Sequence, residues 1–324
     1  MADSFFPRVR EIPVEAIQAQ DRTFAILPPH LPLGPLLESV REAGILTPLH
    51  LQRMDSGLFR IVSGFRRYSA AARLRLATVP AVVRYAKSAL GLFRQVLFEN
   101  LALHVLGEFD KATAVSKLRI QFAVDEDFLI REYLPLLQIN PDRAQLIRYL
   151  DLADLPEAVR QAGAEGLNAQ VALGISAWKE PEQEWFLTLV RRYRLRGNKQ
   201  KKLFTLLDEL RLAHESTRVA FSRSGAQEVD RNKKFPAQQR FDLMVSRLRQ
   251  LRYPVLSEYE GRYRRLKRAL QAPASVRFEI PPFFEGDDVR ISFAFRKPEQ
   301  LRRIVRWLAD AADRDELRQI LEML

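Results

Sequence analysis

The stretch IVSGFRRYSAAARLRLATVPAVV, residues 61–83, decides how the first part of the chain folds. Its β-branched start predicts a strand, and Gly64 predicts the turn that follows. Residues 65–76 then predict a helix, and a second strand follows at Pro80. One face of this helix is predicted to pack inward through Phe65, Tyr68, Ala72 and Leu76.

Two arginines, Arg66 and Arg67, directly follow the glycine at the mouth of this predicted helix. The first amides of a helix have no partner within the helix and carry partial positive charge. Such a terminus suits a phosphate, and arginines add bidentate donors. The other interpretation is a solvated helix start without a ligand.

The composition narrows the function classes. The formal charge of +12 over 324 residues favours a polyanionic partner, most often nucleic acid. The chain has no cysteine, which excludes disulfides, thiolate metal sites and cysteine nucleophiles. The N-terminal residues lack the apolar segment of a signal peptide, and no apolar run approaches the roughly 18 residues of a membrane span. We expect a cytoplasmic protein with no membrane partner.

The pattern along the chain predicts an α+β multi-domain protein. Residues 1–105 read as mixed α/β, with a helix that begins at Pro35 and ends at Gly44. Residues 106–221 read as helical throughout. Residues 222–271 are predicted to be a linker, over 222–234, and then an amphipathic helical segment.

The amphipathic segment is predicted to be kinked or broken at Pro254. Its apolar stripe predicts a packing seam within this chain or with a second copy: Phe241, Met244, Leu248, Leu251, Val255, Tyr259, Tyr263, Leu266 and Leu270. Residues 272–324 predict a β-hairpin followed by two helices. A hairpin with so little cover is marginal alone, so we expect this ββαα module to pack against a partner chain.

A second polar pair, Glu99 and Asn100, lies late in a predicted helix. A carboxylate beside a carboxamide is a sensible oxygen pair for Mg²⁺ held next to phosphates. A plain polar helix end is the other interpretation.

The segment DEDFLIREYLPLLQINPDRAQLIRYLDL, residues 125–152, is a candidate helix-turn-helix. Asn140 is predicted to cap the second helix. Outward-facing Arg143, Gln145 and Arg148 would contact DNA, with Ile147 and Leu150 inward. A plain helical hairpin is the competing interpretation.

The run RRYRLRGNKQKK, residues 191–202, contains basic residues and no acidic one, a pattern typical of phosphate contact with DNA. The predicted contacts are Arg191, Arg192, Arg194, Arg196, Lys199, Lys201 and Lys202. The segment RYRRLKR, residues 262–268, is a similar candidate, and a solvated helix face is the alternative for both.

Taken together, residues 36–84 resemble the N-terminal domain of the ParB family, the bacterial partition proteins with a ParB/sulfiredoxin-type fold. The family's Gly-Glu-Arg-Arg motif corresponds to GFRR at 64–67. Its Glu-Asn-x-x-Arg motif corresponds to ENLAL within FENLALH, at 99–103, and its Gln-Pro-Arg motif to QDR at 20–22. Residues 286–308 resemble the family's C-terminal strand-then-helix dimerisation domain.

The resemblance implies a DNA-binding protein of chromosome or plasmid partition, or of related regulation, gated by CTP with Mg²⁺. It implies a homodimer, a partition ATPase as partner and association with the nucleoid. The implied nucleotide contacts are Arg22, Ser63, Gly64, Arg66, Arg67, Glu99 and Asn100, the last two also holding the metal.

Three positions depart from the family pattern. Phe65 replaces the usual glutamate, Ser69 stands where an arginine is frequent, and Leu103 replaces the arginine of the second motif. Loss of an arginine beside a triphosphate removes a charge-assisted contact, so whether the nucleotide is hydrolysed stays open. Two alternatives stay open as well: a kinase-type enzyme on the same fold, and a DNA-binding scaffold that has lost nucleotide binding.

Overall fold

The computed structural model describes residues 8–27, 33–84, 88–103 and 105–324. The chain divides into two compact units, Met1–Lys201 and Lys202–Leu324. Residues 1–105 and the helical region up to Lys201 therefore belong to one unit. The division falls before the boundary at residue 221 that the sequence predicts.

Unit 1 contains a five-stranded mixed sheet. Its strands are β1 (Val9–Pro13), β2 (Ile17–Gln18), β3 (Leu49–Arg53), β4 (Phe59–Ser63) and β5 (Thr78–Arg84). The strand order is β1-β5-β3-β4-β2. The pairs β1–β5 and β3–β4 are antiparallel, whereas β3–β5 and β2–β4 are parallel. This is the mixed α/β domain that the sequence predicts.

Three helices accompany the sheet: α1 (Gly34–Ala43), α2 (Phe65–Arg73) and α3 (Ala89–Leu103). Gly44 ends α1, as predicted, with a positive φ of 68°. The sheet core is apolar and comprises Ile12, Ile17, Leu49, Leu51, Ile61, Ala71, Val79 and Ala81.

Helix α2 ends at Arg73, so it is shorter than the predicted 65–76. Phe65 and Tyr68 pack against the sheet core as predicted, and Leu76 does so from the turn beyond the helix. The prediction for Ala72 was wrong: the buried alanines are Ala70 and Ala71, and Ala72 is exposed.

The rest of unit 1 is helical. Its α-helices up to the unit boundary are α4 (Glu108–Ser116), α5 (Glu126–Phe128), α6 (Leu134–Leu136), α7 (Arg143–Asp154), α8 (Glu157–Ala164), α9 (Ala169–Ile175), α10 (Glu180–Arg192) and α11 (Asn198–Ala213). The last of these crosses the unit boundary. Two π-helical turns interrupt the regular pattern, at Lys117–Gln121 and Leu129–Tyr133.

The segment predicted as a helix-turn-helix forms two helical pieces around a turn at Gln138, φ 56°. The cap of α7 is Asp142, not Asn140: its Oδ1 accepts from the backbone N–H of Gln145 at 2.8 Å. The predicted inward position of Ile147 was also wrong, because this side chain is 50% exposed. The helix instead buries Leu146, Tyr149 and Leu152, which lie on a different face of α7 from Ile147.

A fully buried glutamine, Gln200, fixes the turn between α10 and α11. Its Oε1 accepts from the Asn168 N–H at 2.7 Å, and its Nε2 donates to the carbonyls of Gly166 and Leu195 at 3.0 and 2.9 Å. The side chain thereby satisfies backbone groups on both sides of a packed junction.

Unit 2 continues with α12 (Thr217–Arg223), α13 (Ala226–Arg231), α14 (Ala237–Arg252) and α15 (Pro254–Ala269). The prediction of a linker over 222–234 was wrong, since α13 packs along α14. Ala226 is fully buried, and Nη1 of Arg240 donates to the carbonyl of Asp230 at 2.9 Å. Small and polar residues made the segment look unpacked, although Ala226 within it is buried.

The predicted break at Pro254 is confirmed, since α14 ends at Arg252 and α15 begins at the proline. Only part of the apolar stripe is buried. Phe241, Met244 and Leu248 are covered, whereas Val255 is 67% exposed.

The last residues form the predicted hairpin and two helices: β6 (Val276–Glu279), β7 (Arg290–Phe293), α16 (Pro298–Ala312) and α17 (Asp315–Leu321). The strands are antiparallel. The module shares its core with the end of α15, since Tyr263 and Leu266 pack against it. The buried core residues are Leu270, Val276, Phe278, Ile304, Ala311 and Ile320. Across the described residues of both units, no helix is long and apolar enough to cross a membrane.

Replacement of Gln200 by methionine should lower the free energy of unfolding of unit 1 by about 2–4 kcal/mol, because buried backbone groups lose their partners. Urea unfolding followed by tryptophan fluorescence measures this. In a Trp307→Phe background, the remaining tryptophans, Trp178 and Trp185, both report on unit 1. The exposed Gln170→Met is the matched control, and equal losses for the two variants would contradict the role given to Gln200.

Candidate functional site

A cavity of about 270 Å³ opens between the start of α2, helix α3 and the loop at residues 21–27. The residues for which the resemblance implies nucleotide contacts all line it: Arg22, Ser63, Gly64, Arg66, Arg67, Glu99 and Asn100. Positions far apart in the sequence therefore meet in one place. Phe65 and Ser69, two of the departures from the family pattern, line it too.

The β4–α2 connection depends on Gly64, which has φ 102° and ψ 23° immediately before α2. A Cβ on this residue would lie 3.1 Å from Cγ of Leu49, in a backbone conformation that side chains disfavour. The glycine lets the chain turn sharply from the buried strand, so that the first turn of α2 faces the cavity. This is the geometry that the sequence predicts.

Arg67 is anchored more firmly than a solvated helix start requires. Its Nη1 donates to the carbonyls of Thr47 and Pro48 at 2.7 and 2.6 Å. Its Nη2 lies 3.9 Å from Oε1 of Glu99. Burial lowers the pKa of Arg67, and Glu99 opposes that shift. The guanidinium therefore lies at the cavity wall. The backbone just before β3 holds it on one side, and it faces α3 on the other.

Glu99 contacts several polar groups at the same wall of the cavity. Its Oε1 accepts a hydrogen bond from the Ser63 hydroxyl at 2.7 Å, and its Oε2 lies 3.8 Å from Nδ1 of His50. Burial lowers the pKa of His50, while the charge of Glu99 raises it. The carboxylate thus links β3, β4 and α3 at the cavity.

Across the cavity, the guanidinium of Arg22 lies over the ring of Phe65, 4.5 Å from its centroid. Nη2 of Arg22 also donates to the carbonyl of Leu27 at 3.2 Å. Burial lowers the pKa of Arg22. The aromatic ring that replaces the family's glutamate therefore forms a cation–π contact with a basic cavity residue.

Sequence reasoning missed one residue next to the site, Lys117. Its Nζ donates to the carbonyls of Arg22 and Thr23 at 2.5 and 3.0 Å. The residue opens the π-helical turn after α4, where the N–H of Phe122 bonds to the carbonyl of Lys117. A lysine in an amphipathic helix carries no signal of this contact, because the widened turn that aims it is not visible in the sequence.

The donor set of Glu99 and Asn100 fits a magnesium ion that arrives with phosphates. The carboxylate faces the cavity, and Nδ2 of Asn100 donates to the Val96 carbonyl at 2.8 Å, so its Oδ1 is the atom suited to a ligand. Within the described ranges, no group of three or more His, Asp or Glu residues could hold a metal. An ion here would complete its coordination with phosphate oxygens and water. The backbone of Leu103 ends α3, and His104 lies outside the described residues.

The predicted DNA contacts lie on α7, on α10 and α11, and in the turn between the last two helices. On α7, Arg143 is exposed and lies 3.5 Å from Glu126. Gln145 is half-buried. Arg148 is also half-buried, because its Nη2 pairs with Oε2 of Glu108 at 2.9 Å.

In the basic run, Arg191 pairs with Glu165 at 2.8 Å, and Arg196 donates to the carbonyl of Glu165. All the predicted contacts in this run are exposed: Arg191, Arg192, Arg194, Arg196, Lys199, Lys201 and Lys202. Their roles in DNA contact stay predictions.

Comparison with known proteins agrees with this architecture. Residues 6–101 match the family model of the ParB N-terminal domain. The chain is 35% identical over 135 residues to the stage 0 sporulation protein J of Bacillus subtilis. The matched region covers 41% of this chain and 45% of that protein. It is 30% identical over 174 residues to the chromosome-partitioning protein ParB of Myxococcus xanthus, covering 52% and 55% respectively.

A solved structure of a C-terminally truncated ParB from Caulobacter crescentus, complexed with CTP-gamma-S, also matches. It is 27% identical and covers 57% of this chain and 97% of its own, with a TM-score of 0.25. The sequence and its cavity define a protein with a ParB-type N-terminal α/β domain followed by helices. The chain contains a ParB N-terminal domain, over residues 6–101. It spans about half the length of the curated relatives that it matches.

The Lys117 amine should titrate well below an ordinary lysine, since burial and the nearby Arg22 lower its pKa to about 8, against the partial opposition of Asp21. In the unfolded chain the amine keeps its proton to about pH 10.4. The folded state therefore binds fewer protons between these values, and stability rises with pH there.

NMR titration of lysine labelled at Cε measures this pKa directly. The resonance that disappears in Lys117→Met should shift near pH 8. A Lys117 resonance that shifts only near the ordinary lysine value of about pH 10.4 would show that the amine is solvated.

Proposed function

We propose that this chain is a DNA-binding partition protein whose N-terminal domain binds CTP with Mg²⁺ in the cavity at the start of α2. One observation carries the proposal. Three arginines, a glycine-led helix start and an acidic–amide pair line a single cavity, although they come from separate parts of the chain.

The chemistry of the cavity supports a triphosphate. Arg66 is exposed at the first turn of α2, and a helix N-terminus favours an anion. Arg67 is fixed in place by two carbonyls, so its guanidinium is oriented before a ligand arrives. Arg22 would approach the ligand from the opposite wall. CTP is the nucleotide that the ParB resemblance implies, and the Caulobacter crescentus protein is described with CTP-gamma-S.

Each side chain then has a distinct part. Arg66 and Arg67 would neutralise phosphate charge, and Gly64 lets the phosphates approach the backbone closely. Glu99 and Asn100 would hold Mg²⁺, which supplies charge neutralisation between phosphate oxygens. A bound nucleotide would shift the protein between two states only by its difference in affinity for them.

DNA binding is proposed for the helical region. Relatives of the chain are named chromosome-partitioning proteins. The exposed basic run at 191–202 offers sequence-independent phosphate contacts, and α7 offers Arg143 and Gln145 for a groove. Arg148 is less suited to this role than the sequence suggests, because Glu108 already pairs with it.

Self-association is proposed for the C-terminal module. It leaves apolar side chains at its surface, among them Phe295 at 49% and Val305 at 52% exposure. A homodimer would cover such side chains, and a partition ATPase is the further partner that the family implies.

A second candidate function is a DNA-binding scaffold that no longer binds nucleotide. The stack of Arg22 on Phe65 favours it, because that guanidinium already has a partner within the cavity. The two candidates differ in one measurable respect, the affinity for CTP.

Calorimetric titration of CTP with Mg²⁺ into the full chain should show binding that Arg66→Ala weakens at least about tenfold, since a charge-assisted contact is lost. Arg67→Ala should weaken it as well, with some added loss of stability from its two carbonyl contacts. Arg73→Ala, exposed at the end of the same helix, is the control. If neither CTP nor ATP nor GTP binds the wild type, the scaffold is the correct description.

Binding of mixed-sequence DNA should weaken with salt, because bound phosphates release counterions. The double variant Arg194→Gln/Lys201→Gln should reduce the slope of log K against log salt by about 1–2. Fluorescence anisotropy at several salt concentrations measures the slope. Lys179→Gln, exposed at the start of α10, is the control. A slope that stays the same in the double variant would remove the basic run from the DNA interface.

A further inference from the structure

The loop at residues 21–27 carries Arg22 to the cavity, and it is held by polar contacts from two other elements. Asp21 pairs with Nε of Arg60 on β4 at 2.5 Å. Lys117 donates to the carbonyls of Arg22 and Thr23, across 95 and 94 residues of sequence. The first contact ties the loop to the sheet, and the second ties it to the end of α4.

The contact from Lys117 is made in a largely desolvated place. Phe24, from the same loop, is fully buried and stacks against Phe122, which also packs on Phe93 of α3. Hydrogen bonds from a charged amine are stronger in such surroundings than in water. Loss of the amine would leave two loop carbonyls with fewer partners.

The opposite end of α4 has a second polar anchor. Glu108, its first residue, accepts from Nη2 of Arg148 and from the hydroxyl of Tyr149, both at 2.9 Å. Both donors belong to α7. Burial and the bond to Glu108 raise the pKa of Tyr149 to about 12, so the hydroxyl stays a donor at neutral pH.

One short helix therefore touches the cavity loop at its C-terminal end and the predicted DNA-reading helix at its N-terminal end. A helix of this length is a stiff element of roughly 14 Å, at 1.5 Å per residue. Its two anchors are directional hydrogen bonds rather than apolar contacts alone, so a shift at one end changes geometry at the other.

We propose that Lys117 is a positioning residue that holds Arg22 in the cavity, and that α4 acts as a strut that couples loop 21–27 to α7 through Lys117 and Glu108. The biological meaning of the coupling, communication between nucleotide and DNA, rests on the proposed function. The mechanical tie itself does not.

Hydrogen exchange of the full chain, without nucleotide or DNA, tests the tie. In Lys117→Met, the peptide that covers residues 21–27 should exchange about tenfold faster, because two hydrogen bonds from a charged donor are lost. Lys117→Arg should restore much of the protection. Arg119→Met is the matched control, since this side chain lies in the same π-helical turn and pairs with Glu126 at 3.4 Å.

The distal anchor tests the strut. Glu108→Ala should speed exchange in α7 and also in peptide 21–27, the latter about threefold, because coupling through a packed element is partial. In Lys117→Met, adding Glu108→Ala should leave peptide 21–27 unchanged, because the strut is already detached. Peptides from β5 should keep wild-type exchange throughout, which shows that the sheet is folded.

Two results would overturn the inference. Wild-type exchange of peptide 21–27 in Lys117→Met would show that the lysine does not hold the loop. Faster exchange confined to α7 in Glu108→Ala would show that α4 does not couple the two ends.

A CTP titration separates this inference from the proposed function. If the wild type binds CTP, Lys117→Met should bind about tenfold more weakly, and equal affinity would contradict the positioning role. If the wild type binds no nucleotide, the proposed function fails, while the exchange experiment still decides whether the strut exists.

Discussion

The left-handed turn at Gly64 is the constraint on which the N-terminal domain depends. A buried strand must become a helix within one residue, and only a residue without a side chain fits between Leu49 and Arg67. That turn fixes where α2 begins, and hence where Arg66 and Arg67 project. Because β4 and α3 are packed against each other, Ser63 and Glu99 then meet at the same wall. The cavity is therefore a consequence of one backbone conformation and of the elements that surround it.

The sequence predicted those parts of the structure that local rules control. A β-branched run located the strand before Gly64, a Pro-led start and a Gly stop located α1, and the Gly-x-Arg-Arg pattern located the cavity wall. The proline break at 254 followed from the missing N–H and fixed φ of that residue. The resemblance to the ParB family brought Arg22, Glu99 and Asn100 to the same site, and the structure places all three around it.

Predictions failed where tertiary contacts override local pattern. Residues 222–234 look polar and flexible, yet α13 docks through Ala226, which is a small contact that composition does not reveal. Ile147 looks like a core residue, but α7 packs through Leu146, Tyr149 and Leu152, and this face leaves Ile147 exposed. Arg148 and Lys117 look like surface cations. Their partners lie 40 and 95 residues away in the sequence, so only the fold could show that they are structural.

The contact between Lys117 and the Arg22 carbonyl also has a meaning for biosynthesis. A chain emerging from the ribosome can complete the sheet once β5 is available, since domains generally fold from the N-terminal side as they are made. The loop that carries Arg22, however, acquires its second support only after residue 117 has been synthesised. The cavity thus matures later than the sheet that bears it. In terms of assembly, the N-terminal domain extends into the helical region. A fragment that stops near residue 105 would contain every cavity residue but lack Lys117, which supports the loop that carries Arg22.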